Sequence, residues 1–299
     1  MMVNKSNRIK TTGTGEKILI YGVLGLFGAI IVLPFLVLVC TSLSSNESIL
    51  NRGARFWIQS LNFDAYYILF QRIDDLLSSY LQSIIVTVFG TVINVVMVAG
   101  VGYSLSRNSF KGRKILTFFF TFTILFQAGY IPNYIWFSKL GITNSYFVLI
   151  LAPAFMVAHM VFLRAFYSGL PSALYEAVKL DGASEFVIFF KIATPLIIPG
   201  IATVCFYSVL SYWNDSFTAL LYTRNFKPLA IYLKDISYYV EWMKDAVENG
   251  WDLNIGGREM PTETILYAIA VVSSAPLLIV FSCLQKFFIS GLTDGAVKG

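Results

Sequence analysis

The sequence predicts an all-α integral membrane protein with six transmembrane helices and both termini on the cytoplasmic side. Three observations support this fold class: an apolar composition, six long and nearly uncharged segments, and an uneven distribution of Lys and Arg. Of the 299 residues, 57% are hydrophobic and 13% are charged, and the mean hydropathy is +0.69. Soluble domains have about 45–50% apolar and about 25% charged residues. A soluble, disordered, collagen-like or coiled-coil protein is therefore excluded.

The six apolar segments are long enough to cross a bilayer, which takes about 20 residues in a helix. The first is predicted to be a retained span and not a signal peptide, because its 23 uncharged residues exceed the apolar region of a signal peptide, about 7–15 residues. Pro34, Pro153 and Pro276 lie inside spans and are predicted to kink them. The predicted spans are residues 18–40, 80–104, 115–136, 146–163, 200–222 and 264–285.

The distribution of Lys and Arg predicts the orientation, because these residues accumulate on the cytoplasmic side of membranes. With the N-terminus inside, the cytoplasmic segments hold thirteen Lys/Arg and five Asp/Glu, and the outside segments hold nine and twelve. The net charge of +5 therefore indicates membrane topology and not nucleic-acid binding. The segments placed inside are residues 1–17, 105–114, 164–199 and 286–299.

Three connecting segments are longer than a turn between helices requires. Outside, residues 41–79 follow the first span and residues 223–263 precede the last. Both are too small for a core of their own and are predicted to form short surface helices. Inside lies the cytoplasmic loop, residues 168–199. The predicted organisation is a cytoplasmic segment 1–17, a transmembrane domain 18–290 and a cytoplasmic tail 291–299.

The cytoplasmic loop carries the most specific sequence of the chain. Ser172 is the predicted N-cap of a helix that runs to about Leu180. Gly182 predicts a tight corner, because glycine adopts the left-handed backbone conformation without steric conflict. Ser184 is then predicted to cap a second short helix that ends near Pro195.

The first helix of this loop is predicted to have a narrow apolar face. Such a helix suits a groove in another protein, and the alternative is a helix resting on lipid headgroups. Small alanines at the centre of the face favour a protein partner, because they allow close approach of the two backbones. The face consists of Ala173, Leu174, Ala177 and Val178, with Glu176 and Lys179 beside it.

The spacing of the loop residues resembles the EAA loop of bacterial ABC-importer permeases, E-A-A-x3-G-x9-I-x-L-P. Val178 and Thr194 replace the third Ala and the Leu of that pattern. The run 180–184, Trp213-Asn214-Asp215 and the end of the chain are similar to the carbohydrate-uptake branch, as in the second permease subunit of the maltose importer. The acidic segment before the last span is similar to permeases for polysaccharide-derived or aldouronate oligosaccharides. The residues at the positions of this pattern, with Val178 in place of the third Ala, are Glu176, Ala177, Val178, Gly182, Ile192 and Pro195.

This resemblance implies a type I ABC-importer permease, a non-enzymatic subunit that forms half of the pathway for an oligosaccharide. It implies a second permease in a heterodimer, two ATPase subunits, a sugar-binding protein outside, and location in the bacterial cytoplasmic membrane. In the family the EAA helix docks in a cleft of an ATPase. Glu176 would be the charged anchor, Ala177 the close-packing surface and Gly182 the corner. The sequence has no G-x4-GK[ST] phosphate loop, so ATP and Mg²⁺ would bind to the partners, with no cofactor or metal in this chain.

Polar and aromatic residues in the spans are candidates for the oligosaccharide path, since sugars bind to aromatic faces and hydrogen-bonding side chains. Polar groups in a span are costly unless they face protein or a water-filled cavity. Each candidate has an alternative role in an aromatic belt or in hydrogen bonding between helices. His159 is predicted to be a structural polar contact. The candidates are Asn94, Gln127, Asn133, Tyr207, Tyr212, Trp213 and Asn214.

Two other function classes fit the sequence less well. A secondary transporter or channel driven by an ion gradient would carry charged residues within the spans, and Asp215, near the end of the fifth, is the one present. An enzyme acting on lipid-linked substrates would need an acid, a base or metal ligands near the membrane surface. Asp215 with Asp74 and Asp75 is the best set available, and adjacent surface carboxylates are usually only solvated.

Overall fold

A computed structural model describes residues 14–71, 73–251, 254–255, 258–259 and 261–296. Predictions on residues 1–13 and 297–299 lie outside these described residues. The described elements are helical except for a two-residue antiparallel pair, β1 with β2, so the all-α prediction holds apart from this pair. A π-helical turn, Phe189–Ala193, joins α10 to α11. The elements are α1 (Thr14–Ser42), α2 (Asn46–Arg52), α3 (Asp64–Phe70), α4 (Ile73–Ser106), α5 (Arg113–Leu125), α6 (Tyr130–Lys139), α7 (Tyr146–Leu151), α8 (Val157–Ser168), α9 (Ser172–Leu180), α10 (Glu185–Ile188), α11 (Thr194–Leu196), α12 (Ile198–Trp213), α13 (Phe217–Tyr222), α14 (Leu229–Glu248), β1 (Asn254–Ile255), β2 (Arg258–Glu259) and α15 (Thr264–Ala296).

Three described helices are long and apolar enough to cross a membrane as single elements. They lie in α1, α4 and α15 and comprise Gly15–Ser42, Ile73–Ser106 and Thr264–Gln285. The first, second and sixth predicted spans lie within these helices. These three predicted spans are uncharged and favour a continuous helix, since in lipid every backbone polar group has to form its hydrogen bond within the protein. Pro34 and Pro276 lie inside α1 and α15.

The third predicted span is not one continuous helix. α5 and α6 together pass the same test of length and composition, but they are bent by 114° at the break between them. Gly129 immediately precedes α6 with a φ of +85°, a conformation that side chains other than glycine rarely adopt. Hydropathy over 115–136 does not reveal this bend, because the residues on both sides of it are apolar.

The fourth and fifth predicted spans are also interrupted. Residues 146–163 are divided between α7 and α8, with Pro153 in the break. Residues 200–222 are divided between α12 and α13. Helices α10–α11 and α12, over Glu185–Leu196 and Ile198–Trp213, form a second bent pair, at 82°. Among the described residues, three helices are long and apolar enough to cross a membrane, or up to five spans if each bent pair counts as one. The presence of six spans therefore stays a prediction.

The chain divides into two compact units. One lies within residues 1–71 and 243–272 and contains α2, α3 and the β1–β2 pair. In it the Lys244 ammonium contacts the Glu263 carboxylate at 2.7 Å, and the Glu263 backbone N–H donates to Asn46 Oδ1 at 2.9 Å. The segment 223–263 also contains α14, which begins in the residues of the other unit. With 20 residues, α14 is longer than the short surface helices predicted for this segment.

The other unit, residues 72–242 and 273–299, contains the packed core around α4. Val98 and Leu105 of α4 are buried with Leu163 of α8, and the same cluster includes Ile188 and Ile197. α4 and α8 approach closely at Gly102, where a Cβ would lie 3.1 Å from the Met160 carbonyl oxygen. The second half of the cytoplasmic loop is therefore packed onto the same core as two apolar helices.

Candidate functional site

Helix α9, the first helix of the cytoplasmic loop, comprises Ser172–Leu180 and ends where the sequence predicts. The cap position is Pro171, with φ −58° and ψ 134°, and Ser172 is the first helical residue. The prediction of Ser172 as N-cap is therefore wrong by one position. Proline favours this entry because its ring fixes φ near −65°.

The corner after α9 has the predicted geometry. Gly182 adopts a φ of +78°, and no heavy atom lies within 4 Å of where its Cβ would be. Glycine is therefore required there by backbone conformation and not by crowding. Ser184 then caps α10 as predicted, its Oγ accepting from the Val187 N–H at 3.4 Å.

The predicted apolar face of α9 is divided in the structure. Leu174 and Val178 are half-buried, whereas Ala173 and Ala177 are exposed. Tyr175, which was not predicted to be part of that face, is 5% exposed. The outer surface of α9 is defined by the exposed residues Ala173, Glu176, Ala177 and Leu180, and Leu180 is 89% exposed.

The inner side of α9 rests on an aromatic and cationic cluster. The Arg107 guanidinium carbon lies 3.6 Å from the centroid of the Tyr175 ring and 5.8 Å from that of Tyr103. Tyr175 Oη donates to the Tyr167 carbonyl at 3.4 Å. The Tyr103 ring is 5.1 Å from the ring of Phe189. Such cation–π and aromatic contacts fix the position of α9 against α4 and α8.

Glu185, the first residue of α10, joins this cluster through both carboxylate oxygens. Oε1 is 2.7 Å from Lys179 Nζ in α9. Oε2 accepts from Tyr103 Oη at 2.7 Å and lies 3.8 Å from Arg107 Nε. Partial burial would raise the pKa of Glu185, but the hydrogen bonds from Lys179 and Tyr103 and the charges of Lys179 and Arg107 outweigh it and lower that pKa.

The remaining residues of the predicted coupling set lie on both sides of this loop. Val178 and Ile192 are half-buried, and Pro195 is exposed in α11. Thr194, which stands where the pattern has Leu, places its hydroxyl 3.1 Å from Tyr167 Oη. Thus Glu176 and Ala177 face outward, while Val178 and Ile192 help to hold the loop on the core.

The sequence pattern does not single out Glu185, Tyr103 or Tyr175, and Arg107 contributes there only to the Lys/Arg distribution that predicts the orientation. The available signal was an acidic residue directly after the cap Ser184, a common choice in the first turn of a helix. Nothing in the sequence shows that this carboxylate meets a tyrosine 82 positions earlier.

Three residues predicted for the oligosaccharide path are buried in the helix packing. Asn94 is 0% exposed, Tyr212 4% and Trp213 6%. Tyr212 Oη donates to the Ile150 carbonyl at 2.9 Å, and Trp213 Nε1 donates to the Ser273 carbonyl at 3.0 Å. Their polar atoms thus form hydrogen bonds within the helix packing, the alternative role that the sequence also allows.

Asn94 is the centre of a polar cluster between α4, α8 and α12. Its Nδ2 donates to the Ala154 carbonyl at 2.9 Å, and its Oδ1 accepts from Ser208 Oγ at 2.7 Å. His159 Nδ1 lies 3.0 Å from the same oxygen and therefore donates, since an amide oxygen only accepts. His159 makes the structural polar contact that the sequence predicts.

The other candidates are accessible. Gln127 lines a cavity of about 640 Å³ together with aromatic residues of α5 and with His159. Tyr207 is 54% exposed, with its ring 6.4 Å from that of His159. Asn133 is exposed, and Asn214 is exposed with its Nδ2 donating to the Leu210 carbonyl at 2.9 Å. The cavity is lined mainly by apolar and aromatic residues, with Gln127, Thr123 and His159 as its polar side chains. Gln127, Asn133, Tyr207 and Asn214 therefore stay predictions for the oligosaccharide path.

Comparison with protein families finds one match over most of the chain. Residues 29–294 match the family described as binding-protein-dependent transport system inner membrane component. This range includes the whole cytoplasmic loop and the cluster around Glu185.

Individual proteins are similar over nearly the full length. The polygalacturonan/rhamnogalacturonan transport system permease protein YtcP of Bacillus subtilis (strain 168) is 36% identical over 94% of this chain and 97% of its own. Protein LplC of the same organism is 33% identical over 92% of each chain. Among solved structures, a bacterial ABC transporter involved in the import of the acidic polysaccharide alginate has a chain with a TM-score of 0.72 and 28% identity, covering 96% of this chain and 99% of that one.

Proposed function

Because this chain belongs to the family of binding-protein-dependent transport system inner membrane components, we propose that it carries oligosaccharides and that α9 couples it to an ATPase subunit. Family membership makes the chain a permease of an ABC importer, a transport component and not an enzyme. The proposal concerns what it transports, which surfaces it uses and which subunits it binds.

The observation that carries the coupling proposal is the two-sided structure of α9. Its outer surface presents Glu176, Ala177 and the 89% exposed Leu180, while Tyr175 is buried behind it. A helix that is fixed from behind by Arg107 and Glu185 offers a preformed surface, and preformed surfaces lose less entropy on binding. A small Ala beside a charged Glu suits close packing in a cleft of a partner.

We further propose the complete assembly and topology. The chain pairs with a second permease as a heterodimer, and two ATPase subunits hold ATP and Mg²⁺. A binding protein delivers the solute from outside the bacterial cytoplasmic membrane.

In the proposed topology six spans place both termini inside, and the interrupted pairs α5–α6, α7–α8 and α12–α13 serve as the third, fourth and fifth spans. Contacts of Arg107 with Tyr175 and Glu185 support it, because they join two segments that the Lys/Arg distribution places inside.

The oligosaccharide proposal rests on the relatives. Their names refer to polygalacturonan, rhamnogalacturonan and alginate. In this chain Gln127 and the exposed ring of Tyr207 supply the amide and the aromatic face that sugars use. Uptake assays with the complete transport system, across neutral and acidic oligosaccharides, test the substrate class. If the system took up none of these oligosaccharides but transported a solute without hydroxyl groups, the proposed substrate class would be wrong.

The coupling proposal is tested by Glu176→Lys in the outer surface of α9. We expect this variant to lose most of the co-purified ATPase subunit and most solute uptake, because it reverses the charge in the docking surface. The matched control is Glu241→Lys, the same change at an exposed residue of α14, on the side predicted to be outside. It should retain the ATPase subunit. Equal retention in both variants would show that α9 is not the docking helix.

A further inference from the structure

We propose that Glu185 is the positioning residue that transmits displacement of α9 to the membrane helix α4. The inference rests on the proposed coupling function of α9 and adds the route by which its movement enters the membrane domain. Glu185 lies in α10 and not on the outer surface of α9, and its side chain is 47% exposed. Its role is inferred from the contacts of its carboxylate with Tyr103, Arg107 and Lys179.

The geometry of the carboxylate carries this inference. One oxygen, Oε1, binds Lys179 in the last turn of α9 at 2.7 Å. The other, Oε2, accepts from Tyr103 Oη at 2.7 Å in the last turn of α4. A single side chain thus holds the C-terminal ends of both helices, and charge-assisted hydrogen bonds of this kind are stronger than neutral ones.

Arg107 makes the connection stiffer. Its side chain is 15% exposed, and its guanidinium lies over the Tyr175 ring at 3.6 Å and near Glu185 at 3.8 Å. Among the described residues, Arg107 Nε is buried and has no hydrogen-bond partner. Glu185 therefore supplies the opposite charge that this cation requires, since an unpaired buried charge is destabilising.

Helix α4 is suited to carry the movement further. It is a continuous helix of 34 residues, and Asn94 in its middle binds Ser208 of α12 and lies within hydrogen-bond distance of His159 of α8. Displacement of the Tyr103 end therefore shifts the helix that holds the other two. Energetic coupling between distant sites travels through such contiguous packed elements.

The test uses the complete reconstituted importer with Glu185→Gln. Glutamine keeps the size and can still accept from Tyr103, but it removes the charge that Lys179 and Arg107 face. We expect the amount of solute transported per ATP hydrolysed to fall about fivefold or more, within the usual range of coupling between sites, while the ATPase subunit content is unchanged. An unchanged ratio would overturn the inference. Retention of the ATPase subunit by the Glu176→Lys variant would count against the docking proposal. The Glu185→Gln ratio is a separate measurement that tests only the transmission through Glu185.

Two further variants separate transmission from simple support of the fold. Lys179→Met breaks only the α9 contact, and Tyr103→Phe removes only the α4 hydroxyl. Each variant should lower the amount of solute transported per ATP hydrolysed. Neither should lower it further in the Glu185→Gln background, because the effects of substitutions within one network are not additive. Additive losses would contradict a shared route.

A distance measurement keeps the inference testable if a variant assembles poorly. Spin labels at the exposed positions Leu180 and Asn108, in a protein whose native cysteines are replaced, report the separation of the two helix ends. The wild-type complex should give a narrow distance distribution with and without ATP, and Glu185→Gln should broaden it. Equal widths in the two proteins would overturn the inference.

Discussion

At Gly90 the backbone of α4 lies against the ring of Tyr212. A Cβ added at Gly90 would overlap the carbon atoms of that ring. The ring cannot move freely, because its hydroxyl donates to the Ile150 carbonyl at 2.9 Å and the side chain is 4% exposed. The absence of a side chain at Gly90 is therefore what allows α12 to pack here.

We expect Gly90→Ala to lower the free energy of unfolding by about 1–3 kcal/mol, the usual effect of overpacking a filled core. Thermal unfolding of the purified importer would measure it. The control is Gly100→Ala in the same helix, where no heavy atom lies within 4 Å of the new Cβ. Similar unfolding temperatures for both variants would contradict the close contact with Tyr212.

Asn94 is expected to act on stability and not on substrate affinity. Asn94→Ala removes the partner of the Ala154 carbonyl and the shared acceptor of His159 and Ser208. Leaving buried polar groups unpaired costs about 1–3 kcal/mol each, so the variant should unfold at lower temperature. The KM of transport by the assembled protein should stay close to that of the wild type.

Ser208→Ala serves as the milder comparison for Asn94, since it removes only one of the donors to Asn94 Oδ1. Its unfolding temperature should lie between those of the wild type and Asn94→Ala. A raised KM at an unchanged unfolding temperature in Asn94→Ala would instead support the prediction that Asn94 belongs to the oligosaccharide path.

At the scale of elements, the corner at Gly182 sets the angle between α9 and α10. An L-residue in the left-handed conformation costs about 1–2 kcal/mol, and asparagine tolerates it better than β-branched residues. We therefore expect Gly182→Val to reduce the co-purified ATPase subunit and ATP-driven uptake, and Gly182→Asn to keep most of both. Gly169→Ala is the control, because Gly169 has an ordinary φ of −77°.

Equal activity of Gly182→Val and the wild type would show that this corner does not position α9. If Gly182→Asn were as defective as Gly182→Val, the effect would come from side-chain volume and not from backbone conformation. The open space around Gly182 argues against that second outcome.

Element prediction succeeded where the signals are local. Gly182 and Ser184 mark the corner after α9 and the start of α10 as predicted, whereas the cap of α9 is Pro171 and not Ser172. These residues act through their own backbone or the next few residues. Hydropathy could not locate the bend between α5 and α6, since the segment remains largely apolar across it. The break between α12 and α13 lies at the polar residues 214–216. The pairing of Glu185 with Tyr103 was out of reach because it depends on how α4 and the cytoplasmic loop pack together.

At the scale of the whole molecule, the charge distribution and the contacts of the cytoplasmic loop support the same topology. Arg107 lies in the short basic segment after α4, and Glu185 lies in the loop before α12. Their contact at 3.8 Å joins two segments that the Lys/Arg distribution predicts to lie on the cytoplasmic side. The bent pair α5–α6 is one of the interrupted elements on whose path the number of spans depends.

Cysteine labelling of intact cells tests this path. In a protein with Cys40, Cys205 and Cys283 replaced by Ser, single cysteines at Asn108, Lys139 and Asn249 lie at exposed positions. With six spans and the N-terminus inside, a membrane-impermeant maleimide should label Lys139→Cys and Asn249→Cys in intact cells, and Asn108→Cys only after lysis. These outcomes follow because α5 and α6 would together cross the bilayer once, despite the 114° bend. The opposite outcome is labelling of Lys139→Cys only after lysis while Asn249→Cys is labelled in intact cells. In that case α5–α6 would return to the cytoplasmic side as a re-entrant loop, and the six-span topology would be wrong.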